Sequence, residues 1–166
     1  QRTAGGDVYE GTILEHLLVE HLCAFYEVGK HNEMRLRGAD WNDALDMAAD
    51  NGESVAFTCA YAGNLRQLAD CLRLMQDKIA CTEIELLEEI SILLEDNTKR
   101  YEDIAAKQAL LKKYTSTCRH DISGKKIQVS FDSLIENLTH KADWIMEHIR
   151  RTEWLQGQDN EGWFNS

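Results

Sequence analysis

The chain has 166 residues and a formal net charge of −11, and this acidic balance argues against two classes of partner. Nucleic acids and anionic membranes both need a basic protein surface, so neither is expected to bind. No apolar run approaches the length that spans a bilayer. The chain contains no proline, which favours a mainly helical protein because proline interrupts helices.

The cysteines give no sign of a disulfide framework or a zinc ribbon, because their number is odd and none forms a Cys-x-x-Cys pair. They are Cys23, Cys59, Cys71, Cys81 and Cys118. Free thiols suit a reducing compartment, so a cytoplasmic location is expected. His16 and His21 point about 140° apart on a helix. No metal site is therefore predicted.

The first half of the chain predicts two helices. Leucine and phenylalanine recur at three- and four-residue steps between residues 9 and 28, which is the helical period, and Gly29 ends the run. A second helix is predicted from Glu53 or Ser54 to about Gln76, because an acidic residue in the first turn favours the helix dipole.

The second half predicts three more helices and at most one short strand. Thr82 and Glu85 match a capping box, which predicts a helix to about Glu95. A further helix is predicted from about 99 to 117, a strand near 125–130, and a last helix from 131 to 155. Trp144 and Trp154 on that helix are interpreted as packing residues, with a sugar platform as the alternative.

The segment between the first two helices is the candidate site. It reads Arg-Gly-Ala-Asp-Trp-Asn-Asp-Ala-Leu-Asp over residues 37–46 and mixes carboxylates with a flexible glycine and an indole. Such a mixture suits a pocket that holds a ring and moves a proton. A calcium loop starting at Asp40 is excluded by spacing, because it needs Gly and Glu where the chain has Leu45 and Asn51.

The motif in residues 38–47, followed by Asn-Gly-Glu-Ser-Val at 51–55, resembles the acid-bearing loop of inverting phosphorylases of glycoside hydrolase family 94. That family includes cellobiose, cellodextrin and chitobiose phosphorylases. The resemblance covers roughly residues 30–75, with an echo in Glu-Gly-Trp-Phe-Asn at 161–165. Many members carry Gly-Met where this chain has Ala44-Leu45, which favours a cellodextrin-type branch.

The resemblance implies a fold, a reaction and two site residues. The fold is all-α, with residues 1–166 as a fragment of a single (α/α)6-barrel catalytic domain. The reaction is reversible phosphorolysis of β-linked gluco-oligosaccharides to α-glucose 1-phosphate by a glycosyltransferase-type inverting phosphorylase. Asp43 is implied as the general acid and Trp41 as part of the donor-sugar pocket. The residues permit this, because an Asp beside an indole in a closed site tends to keep its proton.

The neighbouring carboxylates have simpler interpretations. Asp40 is expected to accept hydrogen bonds from loop amides, and Asp46 to cap a turn or face solvent. Glu53, in a first helical turn, is also expected to be structural. From the residues alone, the same structural interpretation stays open for Asp43.

The resemblance further implies that inorganic phosphate is a co-substrate and that no cofactor is needed. Phosphate-binding groups are not clustered in this chain and there is no Gly-rich cradle. The expected partners are the oligosaccharide, phosphate, the remainder of the parent catalytic domain and, for the parent, a second copy. The fragment alone is expected to be inactive.

Two alternatives stay open at this stage. An inverting glycoside hydrolase would need a second carboxylate about 6.5–9.5 Å from Asp43 to activate water. A non-catalytic helical interaction module would use residues 83–118 to bind a partner helix. The hydrolase is distinguished from the phosphorylase by whether product formation depends on phosphate. The interaction module predicts that deletion of the Trp41 loop leaves its activity unchanged.

Overall fold

The computed structural model describes residues 1–36, 52–157 and 161–165. In chain order the elements are β1 Arg2–Thr3, α1 Ile13–Tyr26, β2 Arg35–Leu36, β3 Gly52–Glu53, α2 Val55–Ile79, β4 Glu83–Leu87, a 3-10 helix Glu88–Ile92, α3 Thr98–Tyr101, α4 Ile104–Thr117, β5 Asp121–Ile122, β6 Lys126–Ser130, α5 Phe131–Thr152, β7 Trp154–Gln156 and β8 Gly162–Phe164. Among these residues no helix is both long and apolar enough to cross a membrane.

Side-chain caps explain where α1, α2 and α5 begin. Thr12 and Glu15 form a capping box at the start of α1, and the Ser54 hydroxyl accepts from the Phe57 amide at the start of α2. Ser130 caps α5 in the same way. Such caps satisfy amides that have no partner within the helix. The helices predicted at 9–28, from 53 or 54 to 76, and at 131–155 are confirmed, with ends shifted by a few residues. The placement of Glu53 in the first turn of the second helix is wrong, because Glu53 lies in β3 and α2 has no acidic residue in its first turn.

The core lies mainly between α2 and α5, with α1 against one side. Small residues on α2 and α5 let the two helices approach closely. The fully or almost fully buried residues of this core include Leu18, Leu22, Ala62, Leu65, Ala69, Leu72, Leu134, Leu138, Ala142 and Ile145. Burial of their apolar surface is the main stabilising contribution.

The all-α prediction is wrong, because the described residues contain four two-stranded sheets as well as helices. β1 pairs with β5 in parallel, whereas β2 with β3, β4 with β6, and β7 with β8 are antiparallel. The strand predicted near 125–130 is confirmed as β6. Except for β4, the other strands have only two or three residues, too few for a clear period in the sequence.

The helix predicted to follow the capping box at Thr82 and run to about Glu95 is also wrong. Glu83 to Leu87 forms β4, which pairs with β6 so that Ile84 faces Val129 and Leu86 faces Ile127. The chain then makes only a 3-10 helix. Pairing with an alternating apolar strand outweighed the local capping pattern, as tertiary packing often does.

Two smaller differences concern α4 and the tryptophans. The predicted helix at 99–117 is interrupted at Asp103, whose carboxylate accepts from the Ala106 amide at 2.9 Å and starts α4. Trp144 is buried as predicted, and its indole donates to Glu102 Oε1 at 3.2 Å. Trp154 is not in α5 but in β7, where 42% of it is exposed.

Candidate functional site

The sequence-predicted site residues Asp43 and Trp41, with Asp40 and Asp46, lie outside the described residues. The structure does describe the two strands that flank them. β2 precedes residue 37 and β3 follows residue 51, and the strands pair so that Arg35 faces Glu53 and Leu36 faces Gly52. The residues that flank the acidic segment therefore lie next to each other.

The Glu53 carboxylate ties the two ends together. It accepts the His31 amide at 3.0 Å and the Glu33 amide at 3.2 Å. Both amides belong to the turn at residues 29–34, in which Gly29 N–H donates to Glu33 C=O at 3.0 Å. Hydrogen bonds to an ionised acceptor are stronger than neutral ones. Glu53 thus connects the turn before the segment to the strand after it, and we call this arrangement the Glu53 clamp.

The start of α2 adds a second tie to the same turn. Ser54 N–H donates to Met34 C=O at 3.0 Å, and the Met34 amide donates to Thr58 Oγ1 at 2.8 Å. The Thr58 hydroxyl in turn donates to Ser54 C=O at 2.6 Å. Gly52, Glu53 and Ser54 of the motif therefore pair with β2, hold the turn and start α2 within three residues.

Close approach at Gly29 makes the Glu53 clamp testable. A Cβ at residue 29 would lie 2.5 Å from Glu53 Cγ and 2.6 Å from its Oε1. Gly29→Ala is therefore expected to displace the carboxylate and lower the free energy of unfolding by about 1–3 kcal/mol. Gly63→Ala is the control, because Gly63 lies in α2 and an added methyl group there would meet nothing within 4 Å, so it is expected to stabilise by about 0.5–1 kcal/mol. Chemical denaturation of the full-length protein measures both, and equal effects would contradict the clamp.

A buried carboxylate lies under the turn. Glu33 is 1% exposed, and no donor of the described residues makes a hydrogen bond of good geometry to either of its oxygens. His148 Nε2 lies 3.4 Å from Glu33 Oε1 and 3.0 Å from His31 C=O. Burial raises the pKa of Glu33 to about 7, against the opposing effects of the nearby Thr58 hydroxyl and the Lys107 charge; the Glu153 and Glu53 carboxylates add to the rise.

A buried lysine holds the same turn from α4. Lys107 Nζ donates to Asn32 Oδ1 at 2.9 Å and lies 4.1 Å from the Phe25 ring centroid and 4.2 Å from that of Trp144. Burial lowers the pKa of Lys107 to about 7. Asn32 has a positive φ of 67°, which its amide supports by donating to Tyr101 C=O at 2.9 Å. The turn is thus held from β3, α2, α4 and α5.

The second part of the motif reaches the same region. Asn165 Nδ2 donates to Glu153 Oε2 at 3.1 Å, and the Asn165 amide donates to Glu153 C=O at 2.8 Å. Glu153 is 7% exposed, and its carboxylate is one of the charges that act on Glu33. Asn165 therefore binds a buried glutamate whose charge acts on the turn at residues 29–34.

Sequence reasoning missed the buried charges, although a signal was present. Lys107 is three residues after Ile104 and four before Leu111, and Lys141 is three after Leu138 and four before Ile145. Both lysines therefore lie on the inward faces of their helices. Lys141 is completely buried and satisfied, since it donates to Glu95 C=O, Asn137 Oδ1 and Tyr101 Oη at 2.8, 2.7 and 3.2 Å. Charged residues on an apolar face indicate such buried polar contacts.

An open groove of about 440 Å³ lies next to β2, and the polar side chains that line it include Glu27, Arg35, Gln108, Lys112 and Thr115. Its volume falls in the range of small-ligand sites. Gln108 is held in place by donating to Val28 C=O at 3.0 Å. Within the described ranges no group of three His, Cys, Asp or Glu side chains is placed to hold a metal ion.

The family model of the glycosyl hydrolase 94 superfamily catalytic domain matches residues 4–105. This range contains α1, both flanking strands, the acidic segment between them and α2. No curated protein matches the chain. Since the family match covers more than half of the 166 residues, the chain belongs to the glycosyl hydrolase 94 superfamily, as the motif predicted.

Proposed function

We propose that this chain supplies the general-acid loop of an inverting phosphorylase that acts on β-linked gluco-oligosaccharides such as cellobiose and cellodextrins. Membership of the superfamily makes the chain part of a carbohydrate-active catalytic domain. The observation that carries the finer proposal is the acid motif at residues 38–47. The described residues on either side of it pair as β2 and β3 and are joined by the Glu53 clamp.

In the proposed reaction, Asp43 protonates the glycosidic oxygen as its bond to the anomeric carbon breaks. An oxygen of inorganic phosphate attacks that carbon from the opposite face, through an oxocarbenium-like transition state. The products are α-glucose 1-phosphate and a sugar chain shorter by one unit. Phosphate is itself a competent nucleophile, so no second carboxylate is needed to activate water. Trp41 packs against the donor sugar.

The Glu53 clamp supports this proposal because a general acid works only within hydrogen-bond reach of its oxygen. Small misplacements of a catalytic group cost large factors in rate. A segment whose ends pair as β2 and β3 is fixed at both ends, and the buried contacts of Asn32 and Glu33 fix the preceding turn. The clamp is thus proposed to set where Asp43 lies.

The remaining requirements of the reaction are assigned to other parts of the full-length protein. Phosphate is the co-substrate and no cofactor takes part. A neutral sugar can bind to a chain with a net charge of −11. A phosphate dianion instead needs cationic and amide groups, and we propose that other parts of the catalytic domain supply them. The chain alone is then inactive. The proposal places the full-length enzyme in the cytoplasm, as a pair of identical copies.

The test is dependence of the reaction on phosphate. Full-length protein is incubated with cellobiose or cellotetraose, with and without phosphate, and sugar 1-phosphate and reducing sugar are both measured. The expected result is sugar 1-phosphate that forms only when phosphate is present. Reducing sugar formed at the same rate without phosphate would contradict the proposal and identify an inverting hydrolase.

A further inference from the structure

The open groove next to β2 is built in part from residues beyond the family match. One wall is the face of α4 that carries Gln108, Lys112 and Thr115, which share a face because they are spaced by about one helical turn. The other wall is formed by the end of α1, the residues just after it and Arg35 of β2. The family match ends at residue 105, before the α4 residues of the groove. The use of the groove therefore has to be inferred from its own side chains.

Both walls of the groove are fixed by main-chain and side-chain contacts. The Arg35 amide donates to Glu27 C=O at 2.9 Å and holds these two residues side by side. Gln108 Nε2 donates to Val28 C=O at 3.0 Å and ties α4 to the opposite wall. A site whose walls are already in place loses little conformational freedom when a ligand binds.

The side chains around the groove include both donors and acceptors of hydrogen bonds. Arg35 and Lys112 are donors, and Glu27 contributes a carboxylate acceptor. Gln108 uses its amide nitrogen within the fold, which keeps its Oε1 as an acceptor. The Thr115 hydroxyl donates to a main-chain carbonyl of the preceding helical turn at 3.1 Å, so its oxygen can accept as well. A ligand that fits the groove therefore has to donate and to accept.

This mixture favours one class of ligand over two others. A phosphate or carboxylate ligand would be repelled by the Glu27 carboxylate in the same groove. An apolar ligand would remove polar side chains from water without giving them partners. A neutral sugar donates and accepts through each of its hydroxyl groups, so it can satisfy both kinds of side chain. The C–H face of its ring can pack on Leu111, a half-buried apolar residue of the groove.

We propose that this groove is a binding site for a sugar ring of a gluco-oligosaccharide, built from residues other than the acid motif. Glu27, Arg35 and the polar side chains of α4 bind the hydroxyl groups of the ring. The groove volume of about 440 Å³ suits a small ligand. The choice of a β-linked gluco-oligosaccharide rests on the proposed function, whereas the position of the site rests on the described side chains alone.

Isothermal titration calorimetry of the full-length protein with thiocellobiose tests the inference. Sulfur replaces the glycosidic oxygen of this sugar, so neither phosphorolysis nor hydrolysis consumes it. Wild type is expected to bind it in the groove as well as at the proposed active site. Thr115→Trp places an indole in the groove and is expected to lose the groove site. Ser116→Trp is the matched control, because Ser116 is exposed on α4 but does not line the groove, and it is expected to keep both sites.

A second pair of variants removes a hydrogen-bond donor without adding bulk. Lys112→Ala is expected to weaken binding in the groove by about threefold to tenfold. Lys113→Ala is its control, because Lys113 is an exposed neighbour that does not line the groove, and it is expected to bind as wild type does.

Three results would overturn the inference. They are an unchanged number of sites and affinity in both groove variants, equal losses in the two members of each pair, and no binding of thiocellobiose to wild type. An effect of Lys112→Ala on the binding of inorganic phosphate alone would also overturn it, by identifying an anion site. Failure of the proposed function appears elsewhere, as product formed from cellobiose without phosphate, and leaves the titrations with thiocellobiose to test the groove.

Discussion

Replacing Asp43 by asparagine is expected to lower kcat/KM for phosphorolysis of cellobiose by about 10² to 10⁴. Asparagine has the same shape as aspartate but carries no acidic proton. The departing sugar oxygen would then have to leave as an alkoxide or take its proton from water. Initial rates of sugar 1-phosphate formation by the full-length protein measure the effect.

Asp77→Asn provides the matched control for this loss. Asp77 is exposed on α2, near the end of the helix remote from the clamp. The same change of charge there is expected to leave the rate at the wild-type level. If the Asp43→Asn variant keeps wild-type activity, Asp43 is not the general acid, whatever the control shows.

Replacing Glu53 by alanine is expected to lower kcat by roughly 10², because the residues that carry the acid lose a fixed starting point. The carboxylate accepts two main-chain amides of the turn, from His31 and Glu33. Loss of these partly exposed contacts is expected to lower the free energy of unfolding by about 1–2 kcal/mol. Steady-state kinetics and denaturant unfolding of the full-length protein measure the two effects separately.

Two further variants test whether loss of the Glu53 carboxylate causes the falls in kcat and in stability. Glu53→Gln keeps one acceptor oxygen, so it is expected to lie between wild type and Glu53→Ala in both rate and stability. Glu136→Ala removes an exposed carboxylate from α5 and is expected to change stability by less than about 0.5 kcal/mol. If the kcat and the free energy of unfolding of Glu53→Ala equal those of wild type, the Glu53 carboxylate does not hold the turn that precedes the acidic segment.

The elements that local sequence determines were predicted well. α1, α2 and α5 each combine a side-chain cap with an apolar stripe at the helical period, and neither feature depends on distant residues. The family was also recognised correctly, since the motif around Asp43 lies within the matched range of 4–105.

The elements that depend on distant partners were not predicted. Thr82 and Glu85 satisfied the pattern of a capping box, but β6, which lies far along the chain beyond α4, pairs with β4. β2 and β3 have two residues each, so no periodicity could reveal them. Their pairing joins residues on either side of the acidic segment, and only the structure shows it.

The base of the candidate site was missed for a related reason. Glu33, Lys107 and His148 are far apart in sequence and come from a turn and two different helices. Each resembles an ordinary surface residue when taken alone, because glutamate and lysine are almost never fully buried. Only the positions of lysine on inward helix faces signalled that charges are buried here. Asp43 and Trp41 lie outside the described residues, and their roles stay predictions.

The central claim is that Asp43 donates a proton to the departing sugar oxygen, and the most direct test compares two substrates in the Asp43→Asn variant. Cellobiose needs that proton, whereas dinitrophenyl β-glucoside releases a stable anion without it. With phosphate present, the variant is expected to lose about 10² to 10⁴ in kcat/KM on cellobiose but less than about tenfold on the aryl glucoside. An equal loss on both substrates would show that Asp43 does something other than donate the proton.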